Sequence, residues 1–207
     1  VKEIKLNKLR LKNFKGIKSL SLDLQGRDAL IYGDNATGKT TLYDAFLWLL
    51  FNKDSQGKAE FDIKTLDENN NPISGLEHEV EAELDISGEA LVLKKVFREK
   101  WVKRKGSATS EFTGHTTDYF INDVPAKKKE WDARIKEITD EDTFKLLTSS
   151  RYFNEQLAWK TRRDILLSVC GDVPDADVIA SKEELAELKK ILGNRPLEDH
   201  RKMIAAR

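Results

Sequence analysis

Gly33-Asp34-Asn35-Ala36-Thr37-Gly38-Lys39-Thr40 has the spacing G-x-x-x-x-G-K-[ST] of a phosphate cradle. Glycine lets backbone wrap close to phosphate oxygens, and successive N–H groups opening a helix present positive charge to an anion. In such a loop Lys39 reaches the β- and γ-phosphates, and the Thr40 hydroxyl ligates Mg²⁺. The flanks suit the mechanism. Ala29-Leu30-Ile31-Tyr32 is short and uniformly apolar, which predicts a buried central strand entering the loop. Thr40 to Phe51 is apolar nearly all round, which predicts a buried helix leaving it. The candidate nucleotide-binding residues are Gly33, Asn35, Ala36, Thr37, Gly38, Lys39, Thr40 and Thr41.

Upstream, residues 3–13 alternate apolar and polar, with an irregularity near Asn7, and Ile17 to Leu24 alternates again after a turn at Gly16. This predicts an antiparallel hairpin. Downstream, residues 52–76 lack a period and carry a turn at Asn69-Asn70-Asn71-Pro72. Strand patterns follow over 78–86 and 90–102, joined at Ser87-Gly88, and over 112–121, ending at Asn122-Asp123. Residues 106–110 read as a mobile tip. The pattern then turns helical over Lys127–Ile138, Asp140–Ser149 and Lys160–Cys170. Ser181 and Glu184 have capping-box spacing before a helix that Gly193-Asn194 ends, and Pro196 opens another. The expected fold is α/β, with a nucleotide-binding lobe over 1–125 and a helical lobe over 126–207.

The 207 residues are 39% hydrophobic and 35% charged, enough for a real core and too apolar for disorder. The longest apolar run, Ala45 to Phe51, is too short to span a membrane, and one cysteine, Cys170, fits a reducing cytoplasmic compartment. Net charge is zero but segregated: basic to Arg27, acidic over 54–89, basic over 94–105. The last block, with Phe97 and Trp101 interleaved, reads either as a sequence-independent DNA contact or as a solvated edge strand. Lys15 and Arg10 either approach a nucleotide phosphate or are exposed hairpin cations. Trp48, Trp131 and Trp159 read as core anchors, Cys170 as a small buried residue, His115 as structural, and Lys127-Lys128-Lys129 as a solvated helix start.

Asp85-Ile86-Ser87-Gly88 and Asn52-Lys53-Asp54 imitate GTPase motifs, but the first is a hairpin turn and the second has the wrong spacing. A nucleotide kinase would begin nearer its loop. A third pattern fits better. Leu11-Lys12-Asn13-Phe14-Lys15-Gly16, then the loop, then Asp44-Ala45, resembles the N-terminal half of an SMC-type ABC ATPase head, as in SbcC-like DNA-repair ATPases of bacteria and phages.

That resemblance implies ATP and Mg²⁺ as cofactors, with Lys15 beside the nucleotide. It also implies a glutamine that ligates Mg²⁺ and links nucleotide state to the helical lobe; Gln156 and Asn154 compete for that place. The signature loop and the Walker B Asp-Glu of such heads lie after a coiled coil. Ile86-Ser87-Gly88-Glu89 and Leu66-Asp67-Glu68 fit neither, so no catalytic base is expected in this chain. The resemblance implies a half-head stopping where a coiled coil begins. Its partners would be its own C-terminal half, a second head, DNA and a nuclease, with no membrane. The alternative is a non-catalytic, nucleotide-gated scaffold.

Overall fold

The computed structural model describes residues 2–103, 109–149, 151–171, 173–193 and 195–206. Arg104, Lys105 and most of the expected mobile tip lie outside the described residues, as does Asn194. Six strands form one antiparallel sheet in the order β2-β1-β3-β4-β5-β6. They are β1 Ile4–Phe14, β2 Ile17–Asp23, β3 His78–Ile86, β4 Glu89–Lys103, β5 Ser110–Ile121 and β6 Val124–Ala126. The hairpin turns have the chemistry their sequences suggest. Ser87 and Gly88 take φ of 55° and 94°, and Asn122 and Asp123 take 51° and 62°, left-handed pairs that match strand twist. The irregularity at Asn7 is a β-bulge between Leu6 and Lys8, and the Asn7 carbonyl accepts the N–H groups of Leu24 and Gln25.

Helices α1 (Lys39–Phe51) and α2 (Lys128–Ile138) pack on this sheet. Leu9, Leu11 and Phe14 of β1, Val80, Ala82 and Leu84 of β3, and Leu91 and Leu93 of β4 meet Ala45, Trp48 and Leu49 of α1 and Trp131 and Ile135 of α2. Burying each such side chain contributes about 1.5–3 kcal/mol. Trp48 and Trp131 are the core anchors expected of them.

The segregated charge is explained by strand order. Basic β1, acidic β3 and basic β4 lie side by side, so Arg10 stands opposite Glu81, and Glu81 opposite Lys94. Arg10 pairs with Glu81 and, at 3.0 Å, with Glu83; Arg98 pairs with Asp118 at 2.7 Å. Much of the charge read as a basic side is a cross-strand ladder. Lys95 departs further from a solvated strand. It is fully buried, and its Nζ donates to the Trp48 carbonyl at 2.5 Å and to Asn52 Oδ1 at 2.8 Å. The rings of Trp48, Tyr119 and Trp131 surround it at 4.9 to 5.5 Å.

The expected central strand is absent. Residues 29–32 form no strand, and Leu30, Ile31 and Tyr32 are 80%, 49% and 83% exposed. A strand exists only against a neighbour, and among the described residues nothing pairs with this segment.

The compact units are Val1–Phe144 and Lys145–Arg207, rather than dividing at 125, because α2 belongs to the sheet's core. Helix α3 (Glu141–Thr148) runs across that division. The second unit holds a π-helical turn Tyr152–Gln156 and helices α4 (Trp159–Cys170), α5 (Asp175–Ala180), α6 (Ala186–Leu192) and α7 (Leu197–Ala205). Among its described residues only Tyr152 and Leu192 are buried hydrophobics. Three expectations fail there. Trp159 is 64% exposed and Cys170 is exposed, because α4 buries no residue. The capping box also does not form: the Ser181 hydroxyl donates backward to the Val178 carbonyl at 2.7 Å, after which a 3-10 turn, Glu183–Leu185, leads into α6.

Candidate nucleotide-binding site

Three backbone positions shape the loop. Gly38, the N-cap of α1, takes φ of 93°, and Ala36 takes 64°. A Cβ placed on Gly33 would come within 2.9 Å of Thr37 Oγ1, which donates to the Asp34 carbonyl at 2.8 Å. Glycine at 33 and 38 is therefore a steric requirement of the turn. The first bond closing α1 runs from the Leu42 N–H to the Gly38 carbonyl at 3.2 Å. The N–H groups of Lys39, Thr40 and Thr41 precede it and have no intrahelical acceptor. No acidic residue occupies the first turn. The positive end of α1 thus opens uncompensated into a cavity of about 460 Å³.

That cavity is lined by Gly16, Ile17 and the run from Asn35 to Thr41, with no carboxylate among them. Lys39 Nζ donates to the Gly33 carbonyl at 2.6 Å and the Asp34 carbonyl at 2.5 Å, spanning the loop it follows. The lining offers amides, the hydroxyls of Thr37, Thr40 and Thr41, and one ammonium to an anion. The Thr40 hydroxyl suits Mg²⁺, a cation that takes few protein oxygens and keeps water or phosphate in its other positions. Among the described residues no cluster of three or more His, Cys, Asp or Glu is arranged to hold a metal.

Lys15 is placed differently. The β1–β2 turn puts it at φ of 51°, its N–H donates to the Ile63 carbonyl at 2.8 Å, and its Nζ donates to Asp44 Oδ2 at 2.5 Å. Burial raises the Asp44 carboxyl, but the bonds from Lys15 and Ser55 outweigh it and hold the group below its ordinary value. Lys15 does not line the cavity, whereas its neighbours Gly16 and Ile17 do. Arg10 is engaged in the charge ladder. In the sequence Asp44 stands out only within the family pattern Asp44-Ala45; nothing in its spacing pairs it with Lys15, 29 residues away. In the second unit Gln156 closes the π-helical turn and is exposed. Asn154 is also exposed, and its carbonyl accepts from Arg162 at 2.9 Å.

A phosphate-shaped loop opening a helix that is packed on an antiparallel sheet defines a nucleotide-binding P-loop ATPase domain. The chain belongs to the AAA domain family, whose model matches residues 8–204. No curated protein sequence matches it significantly. Among solved structures it is similar to an SMC head domain with a coiled coil and joint from Pyrococcus yayanosii, at a TM-score of 0.55 and 18% identity, covering 91% of this chain and 36% of that one. Two structures of the recombination mediator RecF are matched at TM-scores of 0.42 and 0.40 and identities of 17% and 18%. They cover 83% and 89% of this chain and 48% and 51% of theirs. The chain therefore has the fold of part of an SMC-type ATPase head and spans about a third to a half of the structures it resembles.

Proposed function

We propose that this chain is the ATP-binding half of an SMC/SbcC-like ATPase head, in which Mg-dependent binding and hydrolysis, through pairing of two heads, are coupled to DNA repair or recombination. The observation that carries the reading is the loop itself: Lys39 and three unbonded helix-start amides face one cavity. Lys39 exchanges the carbonyls of Gly33 and Asp34 for phosphate oxygens, a stronger, charge-assisted contact. The amides of 39–41 would hold the phosphates and the Thr40 hydroxyl the cation; Gln156, or in its place Asn154, is the residue that the family resemblance proposes for the metal. Magnesium, when bound, neutralises charge on the phosphates. Lys15 acts beside the nucleotide only if it leaves Asp44.

The exposed segment 29–32 supports a missing neighbour. Its apolar residues suit a strand covered on both faces, so we assign it as the edge that the C-terminal half of the head pairs with. The second reading, a non-catalytic, nucleotide-gated scaffold for DNA or a nuclease, shares this cavity and is separated from the first by turnover. The experiment is a hydrolysis assay on the 207-residue chain alone and with a C-terminal segment carrying a Walker B Asp-Glu. ATP binding with negligible turnover alone, and turnover rising more than linearly with head concentration after addition, is the expected result. Robust turnover by the chain alone, proportional to its concentration and lost in Lys39→Ala, overturns the half-head assignment. Binding without turnover in either mixture favours the scaffold.

A further inference from the structure

The end of the β4–β5 hairpin carries a line of aromatic rings that starts in the interior and finishes in solvent. Phe97 stacks on His115 with centroids 4.9 Å apart and planes at 15°. His115 meets Phe112 edge-on at 5.2 Å, and Phe112 meets Trp101 at 5.6 Å. Trp101 and Phe112 are 51% and 49% exposed. Two large aromatic rings side by side on the surface are an expensive arrangement for a strand end with nothing to bind.

The Trp101 ring is also fixed in place. Its Nε1 donates to Glu99 Oε2 at 3.1 Å, and the same carboxylate accepts from the Ser74 hydroxyl, the Gly75 N–H and Lys64. Those donors, the Ser74 hydroxyl foremost, then Lys64, hold the Glu99 carboxyl down to about 2, so it is an anion at any working pH. With Lys64 at 3.1 Å its charge is matched locally. Partial burial, with the Lys64 cation adding, lowers His115, so its imidazole is neutral at pH 7 and stacks as an aromatic. Lys103 lies two residues beyond Trp101 on the same side of β4 and makes no ion pair among the described residues. In sequence it opens the run Lys103-Arg104-Lys105.

We propose that Trp101 and Phe112, backed by His115 and flanked by Lys103, form a stacking platform for unpaired bases of single-stranded DNA. Flat rings accept any base face, and a neighbouring ammonium meets the phosphate between bases. Duplex DNA hides its base faces in its own stack, so the platform discriminates for single strands or frayed ends without reading sequence. A protein partner would gain from the rings but would not call for the Lys103 ammonium beside them. The proposal deepens the DNA coupling proposed above and rests on it for the choice of probe. It uses a part of the sheet that shares no residue with the loop.

The test is fluorescence anisotropy of a labelled thymidine 20-mer and of a duplex of equal length with the whole chain, with ATP affinity measured on the same samples. Preference for the single strand is expected, with Trp101→Ala weakening it by about tenfold and Trp101→Phe by no more than about twofold. Lys103→Glu should weaken binding and flatten its salt dependence. ATP affinity should stay unchanged in all three. Lys39→Ala should lose ATP and keep the oligonucleotide, so that failure of the loop assignment and failure of the platform are separate results. Equal affinity for duplex, an unchanged affinity in Trp101→Ala, or no binding of the 20-mer overturns the platform.

Discussion

Lys95 Nζ donates to the Trp48 carbonyl at 2.5 Å, so a buried ammonium on β4 caps the far end of the helix that begins at the phosphate loop. The same carbonyl accepts the Asn52 N–H at 3.1 Å, so Lys95 is its second donor at a helix C-terminus, whose partial negative charge favours a cation. Three aromatic rings replace water around it. The contact ties the sheet directly to α1, whose first turn presents Lys39 and Thr40.

Burial pushes Lys95 down to about 7 from an ordinary 10.5, with Asp132 opposing and Lys128 adding to the shift. Between those values the unfolded chain holds the proton and the folded chain does not, so stability from this group rises with pH from about 7 to about 10.5 and is flat below. Lys95→Met removes the titration and keeps an apolar stem in place. Melting temperatures from pH 6 to pH 10 should show a rise in the parent that is reduced in the variant. Parallel curves for the two proteins would assign the rise to other groups.

Lys39→Ala removes the one ammonium that lines the cavity. Calorimetric titration should show ATP affinity lowered by at least about a hundredfold, the size of two charge-assisted contacts, with an unchanged melting temperature. Unchanged ATP affinity would remove the nucleotide assignment.

Asp44→Ala leaves Lys15 and the Ser55 N–H without their acceptor in a half-buried site. A loss of about 2 kcal/mol in denaturant unfolding is expected. Since the Asp44 carboxyl is held below its ordinary value, its contribution is complete above the ordinary carboxylate range and fades as pH falls through the lowered value. The gap between parent and variant should accordingly narrow in acid.

Replacing Leu30 and Tyr32 together by Ser should change the stability of this chain by no more than about 0.5 kcal/mol, since both are exposed. The same pair of changes should weaken assembly with a C-terminal half by at least tenfold in a pull-down or sedimentation assay. Assembly that ignores them would place the neighbour elsewhere.

The sheet was legible in the sequence because its period is two and its turns carry left-handed residues: Ser87-Gly88 and Asn122-Asp123 delimit strands by chemistry alone. Even the bulge at Asn7 left a break in the alternation. The turn before α1 was legible because its glycines sit where the backbone needs them: Gly38 takes φ of 93° at the helix start. What failed depended on distant partners. Lys95 looked like any strand lysine until α1 and α2 enclosed it. Arg10 became an ion-pair partner only once β3 lay beside β1. Ala29 to Tyr32 reads as a buried strand from its apolar run alone, and the run does not reveal that no described residue pairs with it. Trp159 and Cys170 looked like core because the residues are apolar, and composition does not reveal whether anything packs against α4.

The uncovered segment before the loop also bears on how this polypeptide behaves in concentrated solution. Leu30, Ile31 and Tyr32 expose apolar side chains on backbone that pairs with no strand among the described residues, a feature by which one molecule templates aggregation of the next. Asp28 and Asp34 bracket the stretch, and a like charge at each end opposes in-register stacking of identical copies. Charges so placed are the residues expected to act as gatekeepers against self-association. Neutralising both, as Asn, should turn a well-behaved preparation into one that clouds on standing, whereas co-expression with a complementary strand should raise the yield of dispersed material.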